Sequence, residues 1–248
     1  MNNNLDRLRV VLVGTRNPLN IGAAARALSN FGVRQLRLVR PYDVAFQEAR
    51  SAVGAADLLA NSKVYKTVAE AVADCALVVG TTAAGRRELH HELRRLEVGA
   101  RAIRKQLAST PVALLFGSEK VGLSNDDMSH CHWLMRIPAR DEHGSMNLGQ
   151  AVAVCLYELV RSGKIGSAKT GPAHAAAGDI ERLTTLLLKV LGASGYVKPR
   201  AAAATEEKLR RMIRRMNLND ADAELWLGMV RQIAWKLDLT KSSAQGDA

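Results

Sequence analysis

The chain has 248 residues, with 35 basic against 24 acidic side chains and a formal charge of +11. That length covers one large domain or a medium domain with a small companion, and the positive balance points to a polyanionic partner without separating RNA from DNA or an anionic membrane. The start, Met1 to Arg7, has no apolar run and no later segment reaches the ~18 consecutive apolar residues of a membrane helix, so a spanning protein is excluded and a soluble, cytoplasmic one is expected.

Residues 8–13 form a short apolar run ending at Gly14, the pattern of a buried parallel strand. A loop over 15–20 follows, and 21–31 read as a helix whose first turns, Gly22 to Ala25, are thin enough for another backbone to pack closely. Neither G-x-G-x-x-G nor G-K-[ST] is present, which argues against a nucleotide-phosphate cradle. Gly32 ends the helix; 35–39 supply a second strand, 45–60 a helix and 64–65 a short extended piece. Residues 68–74 read as helix and 76–80 as an apolar strand. This alternation is the signature of a parallel α/β sheet.

Residues 86–98 are polar and crowd Arg86, Arg87, His90, His91, Arg94 and Arg95 together. They read as a solvated loop and helix face, with a contact to a substrate backbone as the other reading. A helix over 101–108 closes before Pro111, and a strand over 112–116 follows. Ser124 and Asp127 have capping-box spacing and fix the start of a short helix. His130-Cys131-His132 suggests a metal site, but consecutive side chains alternate faces and no second ligand pair lies nearby, so no metal is expected. Cys75, Cys131 and Cys155, odd in number and far apart, read as reduced core residues. A strand over 133–138 leads to a last helix with one apolar face, Leu148, Val152, Leu156 and Leu159.

Residues 164–178 lack apolar periodicity and read as a linker, separating a unit over 1–163 from a helical unit over 179–240 and a disordered tail over 241–248. In the helical unit Asp179 is the expected cap of a helix through Leu191, broken by Gly195. Residues 206–216 place Lys208, Arg210, Arg211, Arg214 and Arg215 on one face, with Leu209, Met212, Ile213 and Met216 on the other. Asp220 or Asp222 caps a final helix bearing Trp226, Met229, Val230, Ile233 and Leu237. Three short helices bury little alone, so they are expected to pack on their own core plus a neighbour or partner subunit.

In an open α/β sheet, ligands sit outside the carboxyl ends of the strands. The segments there are Thr81-Thr82-Ala83, Gly117 to Leu123 and Gly144-Ser145-Met146-Asn147. Read alone they are ordinary turns or ligand loops. The combination G-x-E-x-x-G-L, then I-P after a strand, then S-x-N at a helix start resembles the second and third motifs of the SpoU/TrmH branch of SPOUT RNA methyltransferases. The branch's first motif, N-x-G-A-x-x-R, matches Asn20 to Arg26. Because the additional helical segment follows the catalytic unit, the chain most resembles the TrmJ-type tRNA 2′-O-methyltransferases.

That resemblance implies an α/β fold with a parallel sheet and a deep trefoil knot near 113–160, and a homodimer with its sites at the subunit interface. It implies S-adenosyl-L-methionine as cofactor and, as acceptor, a ribose 2′-hydroxyl of tRNA, at the anticodon-loop pyrimidine 32. Methylation of ribosomal RNA and a non-catalytic RNA-binding protein on the same fold are the alternatives. The matched positions make Arg26, Asn20, Glu119, Ser145 and Asn147 the catalytic set. Arg26 would stabilise the developing alkoxide or clamp a phosphate, because a guanidinium stays protonated. The asparagines would orient the ribose or cap helices; Glu119 would hold a loop or assist the hydroxyl. The cofactor would rest on Thr81, Thr82, Ala83, Gly117, Ile137, Gly144, Ser145 and Met146, where Met146 replaces the family's common leucine. Arg16, Arg86, Arg87, Lys208, Arg211 and Arg215 would contact the RNA.

Overall fold

The computed structural model describes residues 4–42, 55–83, 89–140, 145–161 and 174–237. A seven-stranded sheet carries the fold: β1 (Leu8–Val13), β2 (Gln35–Val39), β3 (Lys63–Tyr65), β4 (Leu77–Thr81), β5 (Leu93–Arg95), β6 (Val112–Phe116) and β7 (Trp133–Arg136). Its order is β3-β2-β1-β6-β4-β7-β5, and every pairing is parallel. Successive side chains alternate faces. Leu8, Val10 and Leu12 of β1 therefore enter one core with Val112, Leu114 and Phe116 of β6. Val11 and Val13 enter the other with Ala113 and Leu115. Both faces are covered, which is why these strands read as unbroken apolar runs.

The first face is covered by α1 (Pro18–Asn30), α2 (Ala56–Ala60), α4 (Leu96–Leu107) and α6 (Leu148–Val160); the second by α3 (Val68–Val72) and α5 (Asn125–Ser129). A Cβ on Gly149 would lie 2.6 Å from the Cβ of Ala23. The small residues of α1 thus allow the close approach of α6. Among the strands, β2 sends a charge into the second face, Arg37, held by both carboxylate oxygens of Asp74 at 2.5 and 2.9 Å. Burial would raise the Asp74 pKa, but Arg37 and Arg9 hold it well below the usual carboxylate range.

Some element boundaries differ from those the sequence suggests. The polar stretch before residue 96 contains β5, where Leu93, Arg94 and Arg95 pair with Leu134, Met135 and Arg136. It is an edge strand, where charged side chains are normal; Arg94 lies over the Trp133 ring, 4.5 Å from its centroid. Helix α4 begins at Leu96 instead of residue 101 and runs through Gly99, where a Cβ would meet Met135 Sδ at 2.8 Å. Helix α1 begins at Pro18, capped by Asn17, so Asn20 sits in its first turn and not in a loop. The capping box of Ser124 and Asp127 is present. Of the helix expected over 45–60, the part before Ala55 lies outside the described residues, as do Arg86, Arg87, Gly144, residues 164–173 of the expected linker and the tail.

Three helices follow: α7 (Ala177–Ala193), α8 (Ala202–Arg215) and α9 (Asp220–Lys236). They share a core of Ile180, Leu183, Leu209, Ile213, Leu227 and Val230. Asp179 does not cap α7; Ala176 stands there and Asp179 pairs with Arg182 one turn on. Asn219, rather than Asp220 or Asp222, caps α9, its side chain accepting from Asp222 N at 2.9 Å.

The basic face assigned to α8 also divides. Lys208 and Arg215 are exposed, but Arg210 and Arg214 are 4% and 1% exposed. Arg210 donates to Glu181 at 3.0 Å, Glu206 at 2.6 Å and Ser129 Oγ at 3.0 Å, joining α8 to α7 and α5. The neighbour of the helical segment is thus the second face of the sheet layer: Ala177 N donates to Cys75 O and Gly178 N to Ala73 O, each at 2.9 Å. Among the described residues no helix is long and apolar enough to cross a membrane.

Candidate active site

The loops after β4, β6 and β7 open side by side, because these strands are neighbours in the order β6-β4-β7. Thr81 ends β4 and its hydroxyl donates to Leu115 O at 2.9 Å; Thr82 N donates to Met135 O at 3.0 Å. Ala83 is exposed and Ile137 half-buried. The β6 loop folds back on itself: Gly122 N donates to Ser118 O at 2.8 Å, and Gly122 adopts φ +70°. A Cβ on Gly117 would fall 2.1 Å from the Gly122 carbonyl carbon, so only glycine fits that turn. Ser145 is exposed and Met146 half-buried, just ahead of α6.

A chain of hydrogen bonds ties three of these segments together. Asn20 Nδ2 donates to Glu119 Oε1 at 2.9 Å, and Asn147 Nδ2 donates to Asn20 Oδ1 at 2.9 Å. Arg16 N donates to the other Glu119 oxygen at 3.4 Å. Asn147 also caps α6, accepting from Gln150 N at 3.3 Å. The capping role therefore belongs to Asn147 and Asn17, while Asn20 spends its amide on Glu119 and Asn147. Glu119 receives two donors and acts as the clasp between the β1 and β6 loops.

Arg26 lies on the exposed stripe of α1 with Leu19 and Ala23. Six residues at 100° each put it about 120° around the helix from Asn20. The structure thus brings Asn20, Glu119 and Asn147 into direct contact and directs Arg26 to a neighbouring face. No spacing rule reveals the Glu119–Asn20 bond, which spans 99 residues.

The expected RNA contacts also receive places. Arg16 is exposed beside Glu119. Arg211 is half-buried and pairs with Glu207 at 3.5 Å. Burial first, then Arg211, Arg215 and His90, pull His91 down to about 4, so the basic side of α8 borders the segment that follows Arg86 and Arg87. Arg40 is a residue the sequence reading passed over: it has φ +47° and pairs with buried Asp127 at 2.6 Å. A left-handed non-glycine residue carries no letter-level signal.

His130 and His132 serve the core. Val78 N donates to His132 Nδ1 at 3.0 Å, whereas His130 faces Glu181 at 3.6 Å. All three cysteines are free and buried, with burial pushing Cys131 and Cys155 up to about 12.

Among the described residues, the β4 and β7 loops offer peptide groups beside the Ala83, Ile137 and Met146 side chains, a set that suits the apolar and hydrogen-bonding surface of an adenosine-type cofactor.

Comparison with known proteins agrees with this arrangement. The SpoU rRNA Methylase family matches residues 7–157. The tRNA (cytidine/uridine-2′-O-)-methyltransferase TrmJ of Sodalis glossinidius (strain morsitans) is 34% identical over 235 residues, covering 92% of this chain and 92% of that protein. The protein of the same name from Salmonella typhimurium is 34% identical over 237 residues, covering 92% and 97%. The crystal structure of TrmJ from Z. mobilis ZM4 superposes with a TM-score of 0.79 at 32% identity, covering 91% of this chain and 98% of that one.

Proposed function

The chain belongs to the SpoU methylase family, and from that premise we propose that it methylates a ribose 2′-hydroxyl of tRNA with S-adenosylmethionine as donor. The observation that carries this reading is the Glu119–Asn20–Asn147 hydrogen-bond chain, which assembles all three family motifs at the carboxyl edge of the sheet. The tRNA substrate is supported by relatives matching this chain over nearly its whole length, and the anticodon-loop pyrimidine 32 is our choice of target.

S-adenosylmethionine, when bound, supplies a methyl group on a cationic sulfur. Ala83, Ile137, Ser145 and Met146 would hold it through peptide groups and apolar contact. A bound donor would give its methyl group to the ribose 2′-oxygen, with the carbon–sulfur electron pair staying on sulfur and the hydroxyl proton passing to solvent. Asn20 and Asn147 orient the ribose, and Glu119 fixes the two loops that carry them. Arg26 stabilises the alkoxide as it develops, the role open to a group that stays protonated. Its outward direction on α1 fits a site completed across a homodimer interface. We further assign a trefoil knot to the 113–160 region, a catalytic unit over 1–163 with a helical RNA-binding unit over 179–240, and a cytoplasmic location.

The test is tritium transfer from labelled S-adenosylmethionine into tRNA and into ribosomal RNA, with wild type and Arg26→Ala. The expected result is label in tRNA, on a nucleotide resistant to alkaline cleavage, that is lost in Arg26→Ala. Label in ribosomal RNA alone moves the substrate; label in neither, with cofactor still bound, removes the enzyme reading.

A further inference from the structure

Beside the hydrogen-bonded asparagines lies a second concavity, a cleft of about 390 Å³ at the carboxyl ends of β1, β2 and β6. Arg16, Arg40 and Lys120 converge on it, and Asp127 is the acid in its lining. Asp127 is 4% exposed and already committed: Arg40 Nη2 donates to it at 2.6 Å, and Ser124 donates through N at 2.9 Å and Oγ at 2.7 Å. The exposed character of the cleft is therefore cationic.

The cleft shares its wall with the candidate active site. Glu119, which clasps Asn20, stands between Ser118 and Lys120, and its second oxygen accepts from the backbone of Arg16. Glu119 thus joins the wall of the cleft to the acceptor site.

The backbone around the cleft is built for this shape. Gly14, Arg40 and Gly122 have φ of +64°, +47° and +70°. Only Arg40 among them has a side chain, and a β-carbon in that region is disfavoured. Arg40 is held there from both sides: its own N donates to Tyr65 O at 3.2 Å, while Gly14 N donates to Val39 O at 2.8 Å and Tyr42 N to Thr15 O at 3.0 Å. Strain of this kind persists where the surroundings over-determine it, commonly at ligand clamps.

We propose that the cleft of Arg16, Arg40 and Lys120 is a phosphodiester subsite, which takes the RNA backbone next to the acceptor ribose and sets the register of the 2′-hydroxyl against Asn20. The proposal rests on the methyltransferase reading for its acceptor, and on the cleft alone for its phosphate. Arg40 is a positioning residue here: Asp127 aims its guanidinium, and the fork geometry of arginine suits a phosphate oxygen pair.

The experiment measures binding of unfractionated tRNA to the full chain across a salt series, together with KM and kcat for methyl transfer. Each lost phosphate contact lowers the log–log salt slope by about 1. Lys120→Ala and Arg40→Ala should each show that drop, raise KM for tRNA and lower kcat as the 2′-hydroxyl loses its register, with KM for S-adenosylmethionine held within about twofold. Lys120→Arg should restore the slope, and Lys105→Ala, an exposed lysine on α4, should leave it unchanged. Because Arg40→Ala strips Asp127 of its partner, the exposed Lys120 decides the matter: a wild-type slope in Lys120→Ala overturns the subsite. A wild-type protein that transfers methyl while Lys120→Ala keeps its slope loses the subsite and keeps the enzyme. A protein that transfers no methyl but loses slope in Lys120→Ala keeps the subsite as an RNA contact and loses the enzyme.

Discussion

Two polar networks join distant parts of this chain, and they differ in what surrounds them. At the sheet's carboxyl edge, Glu119, Asn20 and Asn147 link segments 99 and 127 residues apart while staying half-buried or exposed. Behind the second face, Arg210 and Arg214 link α8 to α7 and α5 from positions 4% and 1% exposed. The first network leaves its amides within reach of a substrate and loses little solvation. The second has removed charges from water, so a charge whose partner is lost stays uncompensated. Burial, more than the kind of hydrogen bond, separates a polar cluster that can do chemistry from one that fixes an architecture.

The sharpest way to break this contrast is to remove one member of each. Arg210→Ala strands Glu181, which receives three of its hydrogen bonds, and should cost about 3–5 kcal/mol in urea denaturation. Asn20→Ala should do the reverse: a midpoint within about 1 kcal/mol of wild type, but a kcat for tRNA methylation lower by about 100-fold, since Glu119 and Asn147 lose their common partner. Equal stability losses in the two variants would erase the distinction.

Much of the sheet was legible because a parallel strand buried on both faces must be an apolar run, as in Leu8–Val13 and Val112–Phe116. Strand β5 was not, because an edge strand carries Leu93, Arg94 and Arg95 with the same letters as a solvated loop. The candidate site was legible through its motif letters, yet the bond that assembles it was not: nothing near Asn20 in sequence names Glu119. Reading Arg210 and Arg214 with Arg211 and Arg215 as one wet face failed for a related reason. Helical spacing places 210 and 214 beside the buried Leu209 and Ile213, and whether a charge there is exposed depends on Glu181, 29 residues away from Arg210.

Acid should expose the second network before the first. Burial, followed by Arg210, Arg214 and Arg40, pulls His130 down to about 3, and burial with Arg214 pulls His132 down to about 3. These folded values lie below the unfolded value of about 6.5, so the unfolded chain takes up protons first as pH falls. Stability should then be flat above about pH 6.5 and decline below it, by about 1.4 kcal/mol per pH unit for each histidine that remains neutral in the fold. Denaturation midpoints at pH 7, 6 and 5 measure this, and His130→Gln should make the decline shallower by one proton. A curve of unchanged slope in His130→Gln would show that this imidazole is not held neutral by its arginines.

The smallest expected effect tests whether every charge in the buried cluster matters. Arg214 differs from Arg210 although both are enclosed: it donates to Ala177 O at 3.3 Å and stands 3.8 Å from Glu181, while its Nε and Nη1 have no hydrogen-bond partner among the described residues. Burial, against a weaker pull from Glu181, brings its guanidinium down to about 10, still charged at neutral pH. Burial instead works against the charge on Arg210 and is outweighed by Glu181, Glu206 and Asp126, which raise its pKa. Replacing a poorly satisfied buried charge by an apolar side chain of similar reach is often neutral. Arg214→Met should therefore change stability by less than about 1 kcal/mol and leave tRNA methylation intact, whereas Arg210→Met, which abandons Glu181 and Ser129, should approach the loss seen with alanine. If Arg214→Met instead costs as much as Arg210→Met, the cluster acts as a single unit and Glu181 needs both arginines.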